Sequence, residues 1–445
     1  MGLVKSLITL GWIMNDVKLF PHQVDGLKQT EGHQNCALYW DMGLGKTFGG
    51  SEKMKDYNNP VNLVICQKSK VNDWVNHLVD NGYESHFGMV YDCTKWKKDD
   101  WEALANEPDA PCVMVINYEL AWRRKALMKL KNFTLMLDES SLIQNRTAKQ
   151  TKFILKLKPK NVILLSGTPT AGKYENLHTQ AQLLGWDISQ SLYERQYVNW
   201  KWIESDGYWQ KVVDKDDPYK NVERLKQKFR NHGAVFIKTE EVFDLPEQTF
   251  TVVNIPTTKE YRKFMKTGYV KMTDDFELIG DQVFTKRLYA RQLCGMYSQA
   301  KLEAFKELIQ STNDRVIVFY NFKEEVRQLI EIAEELEKPW GIISGDVKLL
   351  APYDNHEDSI TFIQYQAGAM GLNLQKANKI IYYTLPERSD LFEQSKKRIH
   401  RIGQDRPCFY WIMTCKDSVE EHIYQTLLER KDYTDELFIE GRNAQ

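Results

Sequence analysis

Three stretches of this 445-residue chain carry residue types whose spacing suits phosphate chemistry. The first is Asp41-Met42-Gly43-Leu44-Gly45-Lys46-Thr47, which follows a short apolar run and precedes a helical pattern. Glycines at such a corner let backbone N–H groups close around phosphate oxygens. A lysine there reaches the β and γ oxygens, and a threonine hydroxyl ligates Mg²⁺. Lys46 and Thr47 are therefore candidate catalytic residues, and Met42, Gly43, Leu44 and Gly45 line the same nucleotide-binding loop. The full pattern wants glycine at position 40, where this chain has Trp40, so an ordinary glycine turn is the competing reading of this stretch alone.

The second stretch is Leu135-Met136-Leu137-Asp138-Glu139, an apolar run ending in two acids. At the carboxyl end of a strand beyond a phosphate loop, Asp138 would hold Mg²⁺ beside Thr47, and Glu139 would orient or deprotonate water. The third is Gln394-Ser395-Lys396-Lys397-Arg398-Ile399-His400-Arg401-Ile402-Gly403-Gln404. Arg398 and Arg401 are three apart, which places them on one face if this run is helical, and both could then meet a γ-phosphate. A solvated basic helix is the commoner fate of such a run, so the assignment leans on the other two.

These residues need a scaffold, and the hydrophobic pattern predicts one. Short apolar runs at 36–39, 61–67, 113–117, 134–138, 162–166 and 234–237 alternate with amphipathic stretches such as 119–131 and 145–157. The alternation returns with runs at 315–320, 340–344, 360–365, 379–383 and 409–414, among helical stretches at 323–337, 389–400 and 418–430. Continuous apolar strands between helices indicate mostly parallel sheets covered on both faces. The expected fold is α/β with two lobes, 1–245 and 246–445, the boundary falling near Leu245-Pro246. From about 185 to 312 the alternation stops. That stretch is expected to hold helical insertions, its tryptophans and tyrosines serving as core rather than stacking on bases.

Composition narrows the class further. With 42% hydrophobic and 27% charged residues the chain fits a globular protein, and no apolar run approaches a membrane span of ~20 residues. Its formal net charge of −1 leaves little overall field, so a nucleic acid would have to be gripped by a local patch. Seven scattered cysteines without a C-x-x-C pair predict free thiols in a reducing cytoplasm, with neither a disulfide framework nor a zinc site. At the N-terminus, residues 6–14 lack the features of a signal peptide, and Met1-Gly2 with Ser6 is a short match to a myristoylation pattern.

Taken in order, the motifs resemble those of the Swi/Snf-like family of superfamily 2 ATPases, from about Leu19 to Arg430. Phe20-Pro21-His22-Gln23 is similar to the family's adenine-reading motif, with Gln23 as the base contact. The loop at 41–47 matches its phosphate loop, with Trp40-Asp41 in place of the usual acidic pair. Cys66-Gln67-Lys68-Ser69 with Trp74, and Asn117-Tyr118-Glu119, resemble the next two motifs; Lys68, Ser69, Asn117 and Tyr118 are carried over as DNA contacts. At the Asp-Glu-x-His box, Ser141 stands where the family has histidine, which puts the coupling chemistry in question but not the acids. Ser166, Gly167 and Thr168 match the Gly-Thr-Pro coupling motif, and Lys238-Thr239-Glu240-Glu241-Val242 resembles the segment joining the lobes. Gln366-Ala367-Gly368-Ala369-Met370-Gly371-Leu372-Asn373-Leu374 supplies Gly371 and Asn373 on the nucleotide side. Gln394 with Arg398, His400, Arg401, Ile402, Gly403 and Gln404 completes the set.

The resemblance implies two RecA-like lobes, ATP and Mg²⁺ as cofactors, and a motor that hydrolyses ATP while moving on double-stranded DNA. The charge pattern offers a place for that DNA. Residues 121–160 carry eleven lysines and arginines, among them Arg123, Arg124 and Lys149, against only Asp138 and Glu139. Binding there would be salt-sensitive and not sequence-specific. A strand-separating DNA or RNA helicase, and a nucleotide-gated DNA-binding module with little turnover, are the rival readings. No appended module is visible, so the chain looks like a bare motor of the compact phage or bacterial type, at work in a bacterial cytoplasm. A replication or repair protein is the class of partner considered.

Overall fold

The apolar runs of the N-terminal half become the strands of one parallel sheet in a computed structural model. It describes residues 18–107, 110–205, 208–214, 216–273, 276–365 and 372–438. The myristoylation pattern and the apolar stretch at 6–14 lie outside those residues, as does Gly371 with the rest of 366–371. The chain divides into two units, residues 1–170 with 174–238, and residues 171–173 with 239–439.

In the first unit the strands are β1 (Asn35–Trp40), β2 (Val61–Cys66), β3 (Met89–Asp92), β4 (Cys112–Asn117), β5 (Phe133–Asp138), β6 (Asn161–Leu165) and β9 (Ala234–Ile237). They lie in the order β3-β4-β2-β5-β6-β1-β9, and every pair is parallel. β2, β4 and β6 are buried along their whole length, as strands covered on both faces must be. Helices α1 (Pro21–Lys28), α2 (Lys46–Tyr57) and α3 (Val71–Asp80) pack around this sheet.

The second unit repeats the plan with β10 (Gln248–Ile255), β13 (Val316–Tyr320), β14 (Trp340–Ile343), β15 (Lys348–Leu349), β16 (Ile360–Gln364), β17 (Lys379–Tyr382) and β18 (Cys408–Cys415). Their order is β10-β18-β17-β13-β16-β14-β15, parallel except at the β14–β15 edge. Two RecA-like lobes with mostly parallel, helix-covered sheets are thus the architecture the sequence implied. Beneath the second sheet lies a buried ion pair. Lys301 in the Gln299–Gln310 helix donates to both carboxylate oxygens of Glu420 at 2.6 and 2.8 Å, and both side chains are almost wholly buried. Burial disfavours the Lys301 charge, but the Glu420 carboxylate together with the neighbouring Cys415 and Cys294 holds the ammonium above its ordinary value. Cys294, Cys415 and Glu420 bring their donor atoms within 4.8 Å of one another, but here the ammonium of Lys301 takes the place a cation would fill. All seven cysteines are free and buried.

The segment from 185 to 312 is less helical than its composition suggested. It contains the Gln190–Tyr197 and Val222–Asn231 helices, but also an antiparallel hairpin of β7 (Trp200–Ser205) with β8 (Tyr208–Val213). A second hairpin joins β11 (Tyr269–Thr273) to β12 (Phe276–Ile279). Its aromatics divide accordingly. Trp186, Tyr193 and Tyr197 are buried and pack edge to face, whereas Trp202, Tyr208 and Trp209 on the hairpin are 64%, 75% and 66% exposed. The stretch at 119–131 also departs from a single helix. It forms a short helix, Tyr118–Ala121, and a separate 3₁₀ turn, Lys125–Lys129.

Candidate active site

Sheet register brings the chemistry of the first unit to one edge. β5, β6 and β1 are adjacent, with Asp138 opposite Leu165 and Leu38 opposite Leu165. The loop after β1, the acids at the end of β5 and Ser166 after β6 therefore emerge side by side at the carboxyl ends of neighbouring strands. This is the edge where ligands bind in open parallel sheets.

The phosphate loop turns through two left-handed glycines, Gly43 at φ 86° and Gly45 at φ 75°, before α2 begins at Lys46. A Cβ at Gly45 would overlap the Gln23 amide, so the cradle has room for backbone only. Lys46 Nζ donates to the carbonyls of Trp40 and Asp41 at 2.9 and 3.1 Å. Gln23 is 3% exposed; its Oε1 accepts from Phe20 N at 2.8 Å and its Nε2 donates to Leu44 O at 3.1 Å. His22 Nε2 lies 3.0 Å from the same carbonyl, so α1 holds the phosphate loop through two side chains. Trp40 does not fill the cradle although it stands where the pattern wants glycine. Its indole is fully buried between α1 and α2, and each helix has a glycine where it touches. A Cβ at Gly26 would lie 2.6 Å from the ring and one at Gly49 2.7 Å.

The acids are held from behind. Trp74 on α3 donates its indole N–H to Asp138 Oδ2 at 2.8 Å, and the Tyr118 hydroxyl donates to the Asp138 backbone carbonyl at 3.0 Å. Burial pushes the Asp138 carboxyl above its ordinary value; the Trp74 bond and the nearby Lys46 and Lys70 pull it back. A carboxylate that burial disfavours as an anion is a ready ligand for a cation. Glu139 follows in the left-handed region at φ 55°, strain that costs about 1–3 kcal/mol and persists only where the surroundings impose it. Ser166 Oγ donates to Glu139 Oε2 at 3.4 Å and accepts from Thr168 N at 3.1 Å. Gly167 abuts the loop, since a Cβ there would lie 3.2 Å from Met42 Cγ and 3.4 Å from Lys46 Nζ. The buried Thr168 hydroxyl is without a partner among the described residues. A glycine cradle at a helix N-terminus, the Thr47 hydroxyl, a half-buried carboxyl and an orphaned hydroxyl together fit a Mg²⁺-nucleotide.

Other expected contacts sit differently. Lys68 and Ser69 are exposed in a 3₁₀ turn after β2. Asn117 and Tyr118 are 2% and 1% exposed, the first donating to Glu119 at 2.6 Å and the second propping Asp138, so neither presents a surface for DNA. Arg123 and Lys149 both stack on Trp122, at 5.1 and 5.3 Å from the ring, and Arg124 lies over Trp101 at 5.4 Å. In the second unit Gln394 is buried in the Ser389–Lys396 helix, and Asn373 is exposed. Arg398 and Arg401 lie in turns past the end of that helix, so the shared helical face expected from their spacing does not form. Arg398 is buried, and Arg401 reaches the Leu372 carbonyl at 3.5 Å.

The SNF2-related domain model matches residues 22–314, and the helicase conserved C-terminal domain model matches residues 300–403. The chain belongs to the SNF2-related family. Among its relatives is YwqA of Bacillus subtilis strain 168, named for a proposed ATP-dependent helicase/translocase activity, 24% identical over 91% of this chain and 46% of that protein. The ATP-dependent helicase YqhH of the same organism is 22% identical over 92% of this chain and 78% of its own length. The chain thus spans about half of YwqA. The SWI2/SNF2 ATPase core of Sulfolobus solfataricus, solved in complex with double-stranded DNA, aligns over 95% of this chain and 93% of that one at 20% identity and a TM-score of 0.44.

Trp74 and Tyr118 were visible in the sequence only as parts of motifs; their role behind Asp138 comes from tertiary contacts, Trp74 reaching it from α3 and Tyr118 from the short helix that follows β4, with β2 lying between β4 and β5. Replacing Trp74 with Phe keeps the ring buried and removes the donor to Asp138. The Mg²⁺ concentration for half-maximal ATP hydrolysis is expected to rise about 10-fold, as happens when a partner of a metal ligand is lost. A magnesium titration of wild type and Trp74→Phe checks this.

Proposed function

We propose that this chain is an ATP- and Mg²⁺-dependent motor that moves along double-stranded DNA without having to separate its strands. The observation that carries the reading is the convergence of the 41–47 loop, Asp138-Glu139 and Ser166-Gly167-Thr168 at the ends of three adjacent strands. Bound Mg-ATP would supply the phosphoryl group and the energy released when water takes it. Lys46 would leave the loop carbonyls for phosphate oxygens, Thr47 and Asp138 would hold the ion, and Glu139 would take a proton from water. Arg398 and Arg401 would add positive charge to the phosphoryl group in transit, Asn373 would contribute to nucleotide binding, and Gln394 would serve coupling together with Ser166, Gly167 and Thr168. Gln23 would read the base by giving up one of its three backbone partners, Phe20 N, Leu44 O and Gly45 O.

DNA would be gripped through its phosphates. Arg123 and Lys149 lie over Trp122, and lysines 125, 129, 131, 152, 156, 158 and 160 of the same stretch are exposed, which supports this. Seven free buried thiols support a reducing compartment, and no helix among the described residues is long and apolar enough to cross a membrane.

The reading is tested by displacement assays. With ATP and Mg²⁺ the protein is expected to strip the third strand from a triplex and to leave a plain duplex paired. Unwinding of the plain duplex would favour the helicase reading instead.

A further inference from the structure

Gln180 joins three parts of the nucleotide site that no sequence motif links. It lies in the His178–Leu183 helix and is fully buried. Its Oε1 accepts from the Ser140 hydroxyl at 2.7 Å and from the Tyr39 hydroxyl at 2.9 Å; its Nε2 donates to the Pro169 carbonyl at 2.8 Å. The carbonyl of Pro169 can only accept, so the amide has one orientation, and in it both hydroxyls must donate to Oε1. Ser140 follows Glu139 directly, Pro169 follows Thr168, and Tyr39 precedes Trp40, whose carbonyl holds Lys46.

The backbone beside Ser140 makes this more than a buried network. Glu139 occupies a left-handed conformation that its side chain disfavours. Such a residue stays put only if its neighbours are pinned, and the Ser140–Gln180 bond pins the next one. The other arm of the same amide holds the segment whose Ser166 hydroxyl donates to the Glu139 carboxylate.

We infer that Gln180 is a positioning residue for ATP hydrolysis, fixing the Glu139 carboxylate against the 166–169 segment; this rests on Glu139 acting on water as proposed above. Losing either end of the amide would let Glu139 relax from its strained conformation. Nucleotide binding, which uses the 41–47 loop, would remain.

The test uses the whole chain and two variants. Ser140→Ala removes only the arm beside Glu139 and changes one buried oxygen, so it is the variant expected to fold. Gln180→Met removes all three bonds at similar volume. Turnover is measured per nucleotide-binding site, counted with a fluorescent ATP analogue, so that misfolded protein drops out. Both variants are expected to lose about tenfold or more in kcat with KM for ATP changed less than about twofold. A merely structural role would lower the number of sites and leave kcat per site unmoved. Should kcat per site of Ser140→Ala stay within about fivefold of wild type, the inference is overturned whatever Gln180→Met does. Absence of turnover in the wild-type arm would instead sink the ATPase reading, and this inference with it.

Discussion

Glu139→Gln is expected to lower ATP turnover by about 10²–10⁴-fold while leaving nucleotide affinity within a few-fold of wild type. The amide keeps the shape of the side chain and its contact with Ser166, so the strained backbone at φ 55° has no new reason to move. What it loses is the capacity to accept a proton from water. The phosphate contacts are unaffected, because Lys46, Thr47 and the glycines of the loop come from a different strand end. Steady-state hydrolysis and binding of a fluorescent nucleotide, measured on the same preparation, separate the two effects. Normal turnover in Glu139→Gln would show that another group activates the water.

The second large effect concerns stability. Lys301→Met would strand the Glu420 carboxylate, 3% exposed, beside Cys294 and Cys415. An unpaired buried charge costs about 3–5 kcal/mol. The Cys415 backbone N–H would still donate to Glu420 at 2.9 Å, which offsets little of it. The unfolding transition of the second unit is therefore expected to fall by several degrees or more in calorimetry. Replacing both partners, Lys301→Met with Glu420→Leu, should recover much of the loss, because two apolar side chains need no solvation. A double variant as unstable as Lys301→Met alone would mean that shape rather than charge governs this part of the core.

Much of this architecture was legible because buried parallel strands announce themselves as unbroken apolar runs. Val61–Cys66 and Cys112–Asn117 are apolar or small nearly throughout, and each is buried at every position. Edge strands announce themselves less well. Met89–Asp92 and Gln248–Ile255 are largely exposed or half-exposed, mix polar with apolar residues, and carry no such signal, although the second pairs with β18 over eight residues. The β7–β8 hairpin is a different case. Asp206-Gly207 between two aromatic-rich runs is a strong hairpin signal, which the general helical reading of the insertion passed over.

The same division holds at the site. Lys46, Thr47, Asp138 and Glu139 stand out because phosphate chemistry demands those residue types at strand ends. Trp74, Tyr118 and Gln180 act through tertiary contacts to Asp138, Ser140 and Pro169, and a tryptophan or glutamine inside an amphipathic helix looks like any other. Arg398 and Arg401 were read by helical spacing, and the Ser389–Lys396 helix ends before it reaches them. Spacing predicts a shared face only while the helix continues.

The central claim is that the site at the ends of β1, β5 and β6 hydrolyses ATP in response to duplex DNA. The measurement that meets it most directly is the ATPase rate at low salt, without nucleic acid and then with double-stranded DNA, single-stranded DNA or RNA. The account predicts a slow basal rate raised strongly by the duplex and much less by the other two. Equal or greater stimulation by single strands or RNA would contradict the duplex assignment, and no hydrolysis under any condition would leave a nucleotide-gated binding module in its place.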